Sequence, residues 1–292
     1  MSETRAGLLY AGSAFFIWGI VPFYFLVLKH VSAFEILAHR VFWSVLFLLP
    51  AAAVTSGLGI VRRVFAQPGA LARFFLSAAL IAANWVTFVW AVVAGRVLET
   101  SLGYFLTPQV NIFLGFVFLG ERLRPLQWLA VALSVVGVSN QVLLVGELPW
   151  VSLVLAVTFG CYGLVRKQIA IDSINGLLIE TLLALPFALG YFVYLFGAQR
   201  MVFGAAGTGL GTNLLLALLG LVTAIPLLLF TAGARRLRLV TLGFMQYLAP
   251  SMTFVEAVFL FGEPLGFGRA ATFLLIWVAI AIYAFDSWRL SR

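Results

Sequence analysis

Apolar segments long enough to cross a lipid bilayer follow one another along almost the whole chain of 292 residues. A transmembrane helix needs about 20 consecutive, mostly apolar residues, and the runs reach that length repeatedly. Hydrophobic residues make up 63% of the chain and charged residues 10%, which leaves too few charges to cover the surface of a soluble protein. The sequence therefore predicts an all-α integral membrane protein.

The apolar runs divide the chain into about ten predicted spans with short connections between them. These spans cover residues 7–29, 34–54, 73–94, 98–119, 124–145, 149–167, 174–197, 210–233, 239–260 and 267–286. The first span is too long for a secretory signal and lacks a convincing cleavage site, so we interpret it as a retained helix. A single cysteine, Cys161, excludes an internal disulfide and a multi-thiolate metal site. We expect no metal ion and no cofactor.

Positive charges are concentrated in the connections on one side of the predicted membrane. With the N-terminus inside, thirteen of the 18 Lys and Arg residues, Arg166 among them, fall in cytoplasmic segments, four fall in outer segments and Arg40 falls within a span. Because cytoplasmic loops carry an excess of Lys and Arg, this bias predicts a multi-pass protein of the cell inner membrane with both termini in the cytoplasm. The net charge of +8 then contacts lipid headgroups, and we expect no nucleic-acid partner.

The second half of the chain repeats features of the first at a constant spacing. Three pairs of residues lie 142 positions apart: Pro108 and Pro250, Gly120 and Gly262, and Glu121 and Glu263. The chain then divides into two repeats, 1–146 and 147–292, with five predicted spans each. Because five is odd, the two repeats are expected to lie in opposite directions through the membrane. Inverted repeats are typical of transporters with one state open to each side; the alternative is a duplicated scaffold that transports nothing.

The motifs of the chain resemble those of a known family. They are Gly19-Ile-Val-Pro-Phe-Tyr-Phe25, Glu35-Ile-Leu-Ala-His-Arg40, Asn84-Trp85, Ser101-Leu-Gly-Tyr-Phe105 and Gly120-Glu-Arg-Leu123. Together with two five-helix halves, they resemble the RarD branch of the EamA-type transporters, within the drug/metabolite transporter (DMT) superfamily. The resemblance covers essentially the whole chain. It implies a basket-shaped carrier of ten helices that exports small organic solutes, commonly amino acids and related metabolites.

Arg40 is the charged residue placed most unusually, since it lies inside the second predicted span. A buried arginine in a membrane needs a partner, and its planar guanidinium suits the carboxylate of a substrate. The alternative is that the side chain reaches the nearby outer interface or ties helices together. Its position about 9 Å from the start of the helix favours the alternative.

Three further titratable residues in the spans are candidates for proton coupling or for ion pairs: His39, Glu180 and Glu256. His39 is interpreted first as a packing residue. Glu180 occupies about the position in its half that His39 and Arg40 occupy in theirs. Glu256 lies at about the depth of Arg40, so the two residues are a candidate pair. Each acid is either a structural partner or a proton carrier.

Aromatic and amide side chains within the spans are the candidates for lining a substrate cavity. With Arg40, the candidate substrate-binding residues are Trp18, Asn84, Trp85, Tyr104, Tyr162, Gln246 and Tyr247. Aromatic faces with a few hydrogen-bonding groups suit an amphipathic solute. The alternative is that the amides join helices and the aromatic rings only pack.

Two prolines and two Gly-Glu pairs occupy matched positions in the repeats. Pro108 and Pro250 lie in the middle of predicted spans and free the carbonyl groups of Tyr104 and Gln246, so they are either hinges or passive kinks. For the Gly-Glu pairs we expect a structural role, in which the glycine ends a helix and the acid favours the N-terminus of the next one.

These observations favour a secondary transporter over two other classes of protein. We expect export of small organic metabolites, mainly neutral amino acids including aromatic ones, by alternating access through a central cavity. A membrane-embedded enzyme acting on lipid is the first alternative, but the two histidines and scattered acids supply no recognisable catalytic set. A non-transporting scaffold is the second alternative.

Overall fold

The computed structural model describes residues 2–55, 58–94, 96–146, 150–259 and 266–289, and within these ranges the secondary structure is helical, without strands. The helices are α1 (Glu3–Val27), α2 (Ala33–Thr55), α3 (Gly59–Phe65), α4 (Pro68–Val93), α5 (Val97–Leu119), α6 (Pro125–Val145), α7 (Trp150–Gln168), α8 (Ser173–Gly197), α9 (Leu210–Arg236), α10 (Leu239–Gln246), α11 (Leu248–Phe259) and α12 (Phe267–Arg289). The predicted all-α fold class is confirmed.

Nine helices in the described ranges are long and apolar enough to cross a membrane: α1, α2, α4 to α9 and α12. The ninth predicted span, 239–260, is instead divided at Tyr247 into α10 and α11, which are 8 and 12 residues long. The total of ten spans therefore stays a prediction. The short helix α3 lies in a segment that the sequence predicts as a connection, and α4 begins five residues before the predicted start of its span.

The division at Tyr247 has a local cause in Pro250. Proline has no N–H to bond the Gln246 carbonyl, and its ring crowds the preceding turn. The Tyr247 N–H turns to the Phe244 carbonyl at 3.4 Å, and α11 resumes with a bond from the Ser251 N–H to the Tyr247 carbonyl at 3.0 Å. By contrast, α5 runs without interruption through Pro108. The two matched prolines therefore have different effects on the backbone in this state.

Helix starts in the two halves of the chain follow the spacing found in the sequence. Three pairs of helices begin 142 residues apart: α4 and α9 at Pro68 and Leu210, α5 and α10 at Val97 and Leu239, and α6 and α12 at Pro125 and Phe267. The spacing therefore extends from individual residues to the helices that contain them.

Helices from the two halves interleave. The most extensive contacts join α2 with α8 and α9, α1 with α9 and α11, α4 with α7 and α8, α5 with α7 and α10, and α6 with α12. The largest buried apolar cluster takes residues from α1, α2, α4, α5 and α7 to α10, so each half contributes to it. The core of the protein therefore lies between the halves.

Gly220 allows the close approach of α9 to α2. A Cβ atom at this position would lie 2.5 Å from the Trp43 carbonyl carbon and 2.6 Å from the Trp43 Cβ atom. The Ser44 hydroxyl donates a hydrogen bond to the Gly220 carbonyl at 3.2 Å across the same contact. A larger residue at this position must therefore separate the two helices.

Gly220→Ala is expected to lower the free energy of unfolding by about 2 kcal/mol, because backbone atoms of α2 have to move to admit the methyl group. The measurement is the temperature at which the detergent-solubilised protein aggregates. Gly211→Ala is the matched control, since Gly211 lies in the same helix and a Cβ atom there would meet nothing within 4 Å. Equal stability of the two variants would contradict the proposed packing constraint.

Candidate functional site

Arg40 of α2 is held in the interior by contacts to three other helices. Its Nε atom donates a hydrogen bond to the Thr223 hydroxyl of α9 at 3.0 Å. Its guanidinium carbon lies 4.6 Å from the centre of the Trp85 ring and 5.9 Å from that of Phe25. Cation–π contacts of this kind orient a guanidinium without neutralising its charge. Arg40 therefore presents a fixed positive charge inside the bundle.

Tyr104 borders the same region from α5. Half of its surface is exposed (50%), although its ring lies 6.3 Å from that of Phe88 and its hydroxyl is within electrostatic range of Arg40. Arg40 is itself only partly buried. A cation, an aromatic face and a phenol therefore lie close together where α2, α4 and α5 meet. Such an arrangement suits an amphipathic solute that carries a carboxylate.

Three other predicted lining residues form contacts between helices. The Asn84 amide of α4 donates to the Leu155 carbonyl at 2.9 Å and to the Thr158 hydroxyl at 3.0 Å, which joins α4 to α7. Gln246 accepts a hydrogen bond from Asn111 at 2.7 Å. The Tyr247 hydroxyl accepts one from Gln109 at 2.7 Å, and its side chain is fully buried. In this state Gln246 and Tyr247 serve the packing around the interrupted helix, and Asn84 joins α4 to α7.

Trp18 and Tyr162 meet in an aromatic cluster beside this site. Trp18 lies 5.6 Å from Phe159 and 5.6 Å from Phe230, measured between ring centres. Tyr162 stacks on Phe230 at 6.3 Å with an angle of 14° between the rings. Phe230 and Tyr162 are fully buried. The cluster therefore packs α1, α7 and α9 against one another.

Glu180 of α8 is buried among polar partners. Its Oε2 atom accepts a hydrogen bond from the Tyr162 hydroxyl at 3.2 Å, and its Oε1 atom accepts one from the Ser77 hydroxyl. The Arg166 Nε atom lies 3.4 Å from Oε1. The sequence analysis counted Arg166 with the cytoplasmic charges, at the end of the predicted span 149–167, but did not predict its burial. Arg166 lies in the last turn of α7 and is fully buried, because its side chain lies against Gly176 of α8 and Phe74 of α4.

His39 lies in a small buried group at the start of α2. The Trp43 indole donates to His39 Nδ1 at 3.1 Å, so the neutral imidazole carries its proton on Nε2. Glu35 Oε1 lies 3.8 Å from this Nε2 atom and accepts hydrogen bonds from the backbone N–H groups of Val202 at 2.8 Å and Phe203 at 3.1 Å. The group ties α2 to the connection between α8 and α9. The side chain of Glu256 lies outside the described part of the structure.

The first Gly-Glu pair ends α5 and begins a contact across the chain. Gly120 follows the last residue of α5 with a φ angle of 62°, as expected for a glycine that ends a helix. Glu121 caps a helix, but the helix is α10 in the other half rather than α6, the next in sequence. Its carboxylate accepts hydrogen bonds from the N–H groups of Leu239 at 2.6 Å and Val240 at 2.9 Å. The second pair, Gly262-Glu263, lies outside the described residues.

Comparison with known proteins decides the family. The profile of the EamA-like transporter family matches residues 5–140. The chain is 48% identical to the protein RarD of Salmonella typhimurium over 286 residues, which cover 98% of this chain and 96% of that protein. The chain belongs to the EamA-like transporter family. Within it, the relatives named RarD place the chain in the RarD branch of the DMT superfamily.

Further matches agree with membership of the EamA-like family. The chain is 45% identical to an uncharacterized transporter of Pseudomonas aeruginosa over 291 residues, with 100% of this chain and 97% of that protein covered. A protein of known crystal structure shares 20% identity and a TM-score of 0.72, over 96% of this chain and 98% of that one, so the two share their fold. These comparisons identify the chain as a multi-pass transporter.

For this EamA-like transporter, sequence reasoning missed four residues in the three groups around Arg40, Glu180 and His39: Ser77, Arg166, Thr223 and Glu35 as a buried acid. Single hydroxyl groups within apolar helices give no signal in a hydropathy pattern. Arg166 lies near the end of an apolar run, where the pattern does not separate a connection from the last helical turn. Arg166 and Glu180 lie 14 positions apart on either side of the connection between α7 and α8, and this spacing was the available signal for a pair.

Proposed function

We propose that this transporter is a secondary carrier that exports small organic metabolites, chiefly neutral amino acids including aromatic ones. The observation that carries the proposal is the placement of Arg40. Its guanidinium is held by Thr223 and Trp85 and lies within electrostatic range of the half-exposed Tyr104. The guanidinium supplies the partner for an α-carboxylate, and the aromatic faces supply the contact for an apolar side chain.

Alternating access is the mechanism that we propose for the carrier. Support comes from the helix starts that recur at a spacing of 142 residues and from the contacts that interleave the two halves. Two structurally similar halves that pack against each other permit two arrangements of comparable free energy, one open to each side. The repeats 1–146 and 147–292 are the units that would move.

The interrupted helix is the hinge that we propose for this motion. Pro250→Ala restores an N–H group and is expected to join α10 and α11 into a single helix, which lowers the transport rate by about tenfold if bending here is needed in each cycle. Pro108→Ala is expected to have a smaller effect, because α5 is already continuous. Initial rates of amino-acid uptake by both variants test the difference. Equal rates in Pro250→Ala and the wild type would show that the division is passive.

We also propose that the chain lies in the inner membrane of the cell, with both termini in the cytoplasm. The support is the excess of Lys and Arg in the connections on that side, which remains after Arg166 is assigned to the interior. An impermeant thiol reagent is expected to reach a cysteine at Ser2 only from the cytoplasmic side, in a background where Cys161 is replaced by serine. Labelling in intact cells would contradict this orientation.

Efflux from reconstituted vesicles tests the proposed function. Purified protein in liposomes preloaded with labelled phenylalanine, leucine or glutamine is expected to release each solute faster than protein-free liposomes. A broad profile with aromatic amino acids among the best substrates supports the proposal. Background release of every neutral amino acid, together with clear release of another solute class, would contradict the proposed substrate and leave the carrier in place. The competing lipid-enzyme proposal expects chemically altered lipid instead of solute flux.

A further inference from the structure

The bundle holds a second interior guanidinium, that of Arg166, at the end of α7 away from Trp150. The side chain is fully buried, and the Phe74 ring centre lies 5.6 Å from its central carbon. On its other side the guanidinium lies against the backbone of Gly176 in α8, where any side chain would collide with it. The glycine at position 176 thus leaves room for the Arg166 guanidinium between α4, α7 and α8.

The donors of Arg166 are poorly satisfied in this state, although the guanidinium lies near the Tyr162 hydroxyl. A guanidinium has five N–H groups, yet none of its three nitrogen atoms donates a hydrogen bond within the described part of the chain. The ion pair from Nε to Glu180 has a length of 3.4 Å, whereas a charge-assisted hydrogen bond is about 2.8 Å long. Buried donors without acceptors are unfavourable, so they indicate a place where an acceptor binds in another state.

Glu180 accepts more hydrogen bonds than its partner Arg166 donates. The hydroxyl groups of Tyr162 and Ser77 donate to its two oxygen atoms from α7 and α4. These neutral donors orient the carboxylate but leave its charge to Arg166. The group therefore consists of a fixed anion and a loosely paired cation, buried next to the aromatic cluster that contains Tyr162 and Phe230.

We propose that Arg166 and Glu180 form an inner subsite for a zwitterionic α-amino acid, with the substrate carboxylate on the guanidinium and its ammonium group on Glu180. The inference rests on the proposed function and adds a second binding position to it. Entry of a zwitterion replaces one loose ion pair by two and keeps the buried site neutral, without any proton being taken up. A substrate with only one of the two charges would leave a net charge buried among apolar helices.

The position of this subsite mirrors that of Arg40. Arg40 lies seven residues after the first residue of α2 and contacts a hydroxyl group of α9, while Glu180 lies seven residues after the first residue of α8 and contacts a hydroxyl group of α4. If the two halves lie in opposite directions, these positions are at opposite depths. The subsite at Arg166 then binds substrate from the cytoplasmic face, after α7 and α8 move apart.

Sided transport of labelled L-phenylalanine tests the subsite. Inside-out vesicles expose the cytoplasmic face and right-side-out vesicles expose the outer face. The test variant is Arg166→Gln with Glu180→Gln, which removes both charges and leaves neither one unpaired. The control variant is Glu3→Gln with Arg236→Gln, which removes an Arg–Glu pair of 2.9 Å on the surface. Two competitors report each charge separately: phenylalaninamide lacks the carboxylate and N-acetylphenylalanine lacks the ammonium group.

At the cytoplasmic face of the wild type, both competitors are expected to bind at least about tenfold more weakly than phenylalanine, as the loss of one charge-assisted hydrogen bond implies. The test variant is expected to raise the half-saturation concentration about tenfold at that face and to lose this discrimination. The control variant is expected to match the wild type. Tyr162→Phe removes only one hydroxyl group and gives a test that does not depend on the folding of the double variant. It is expected to discriminate less strongly than the wild type against N-acetylphenylalanine.

Two results separate the failure of this inference from that of the proposed function. Wild-type half-saturation and discrimination in the folded double variant, or unchanged discrimination in Tyr162→Phe, would overturn the inner subsite while phenylalanine transport stands. No phenylalanine transport by the wild type in either type of vesicle would overturn the proposed function, and the inner subsite with it.

Discussion

Arg40→Gln is expected to lower the ratio of maximal rate to half-saturation concentration for phenylalanine by about 100-fold, since hydrogen bonds to a charged group contribute about 1.5–3 kcal/mol each. Glutamine keeps a polar group near Thr223 but has neither the positive charge nor the planar fork that stacks on Trp85. The measurement is uptake into proteoliposomes, with the amount of inserted protein determined for each variant.

Arg40→Lys separates charge from geometry. Lysine keeps the charge but neither binds a carboxylate through two parallel hydrogen bonds nor stacks as a plane, so we expect a loss of about tenfold. Arg63→Gln is the control, because Arg63 lies exposed on α3. Wild-type uptake in both Arg40 variants would contradict a substrate contact and leave Arg40 with the role of joining α2 to α9.

Glu121→Ala is expected to lower the free energy of unfolding by about 3 kcal/mol, because two backbone N–H groups at the start of α10 lose a charged acceptor. The carboxylate lies 2.6 Å from the Leu239 nitrogen and 2.9 Å from the Val240 nitrogen, and only 8% of the side chain is exposed. Glu121→Gln keeps one acceptor oxygen and is expected to lose less.

The measurement for Glu121 is the thermal stability of the protein in detergent, monitored as the fraction that remains monodisperse after heating. Glu3→Ala is the control, since Glu3 is 79% exposed and its ion pair with Arg236 lies on the surface. Exposed pairs of this kind contribute about 0–1 kcal/mol. Equal melting temperatures of Glu121→Ala and Glu3→Ala would show that the Glu121 carboxylate does not stabilise the contact between the halves.

The sequence predicts helix positions well because hydropathy is a property of each segment on its own. Nine predicted spans correspond to helices of membrane length, and the repeated spacing predicted from Pro108 and Pro250 reappears in the starts of α5 and α10. A proline pair does not show which helix will break. That outcome depends on whether neighbours such as Gln109, which bonds Tyr247, stabilise the freed turn.

The site is less predictable because its contacts join distant segments. The position of Arg40 within a span was visible in the sequence, but its hydrogen bond to Thr223 joins residues 183 positions apart. Glu121 was expected to favour the next helix, yet it caps α10, 118 positions later. The burial of Arg166 was not predicted, since hydropathy does not show that Gly176 of α8 lies against its side chain. Only the packing of the helices decides these pairings.

Exposure of one residue to each side of the membrane tests alternating access most directly. Tyr104→Cys in a Cys161→Ser background places a thiol beside Arg40, at a position that is half exposed in this state. An impermeant thiol reagent is expected to label this cysteine from either side in separate right-side-out and inside-out vesicles, and saturating phenylalanine is expected to suppress the labelling from both. Labelling from one side only, at a rate that phenylalanine does not change, would contradict a carrier that opens the same site to each side in turn.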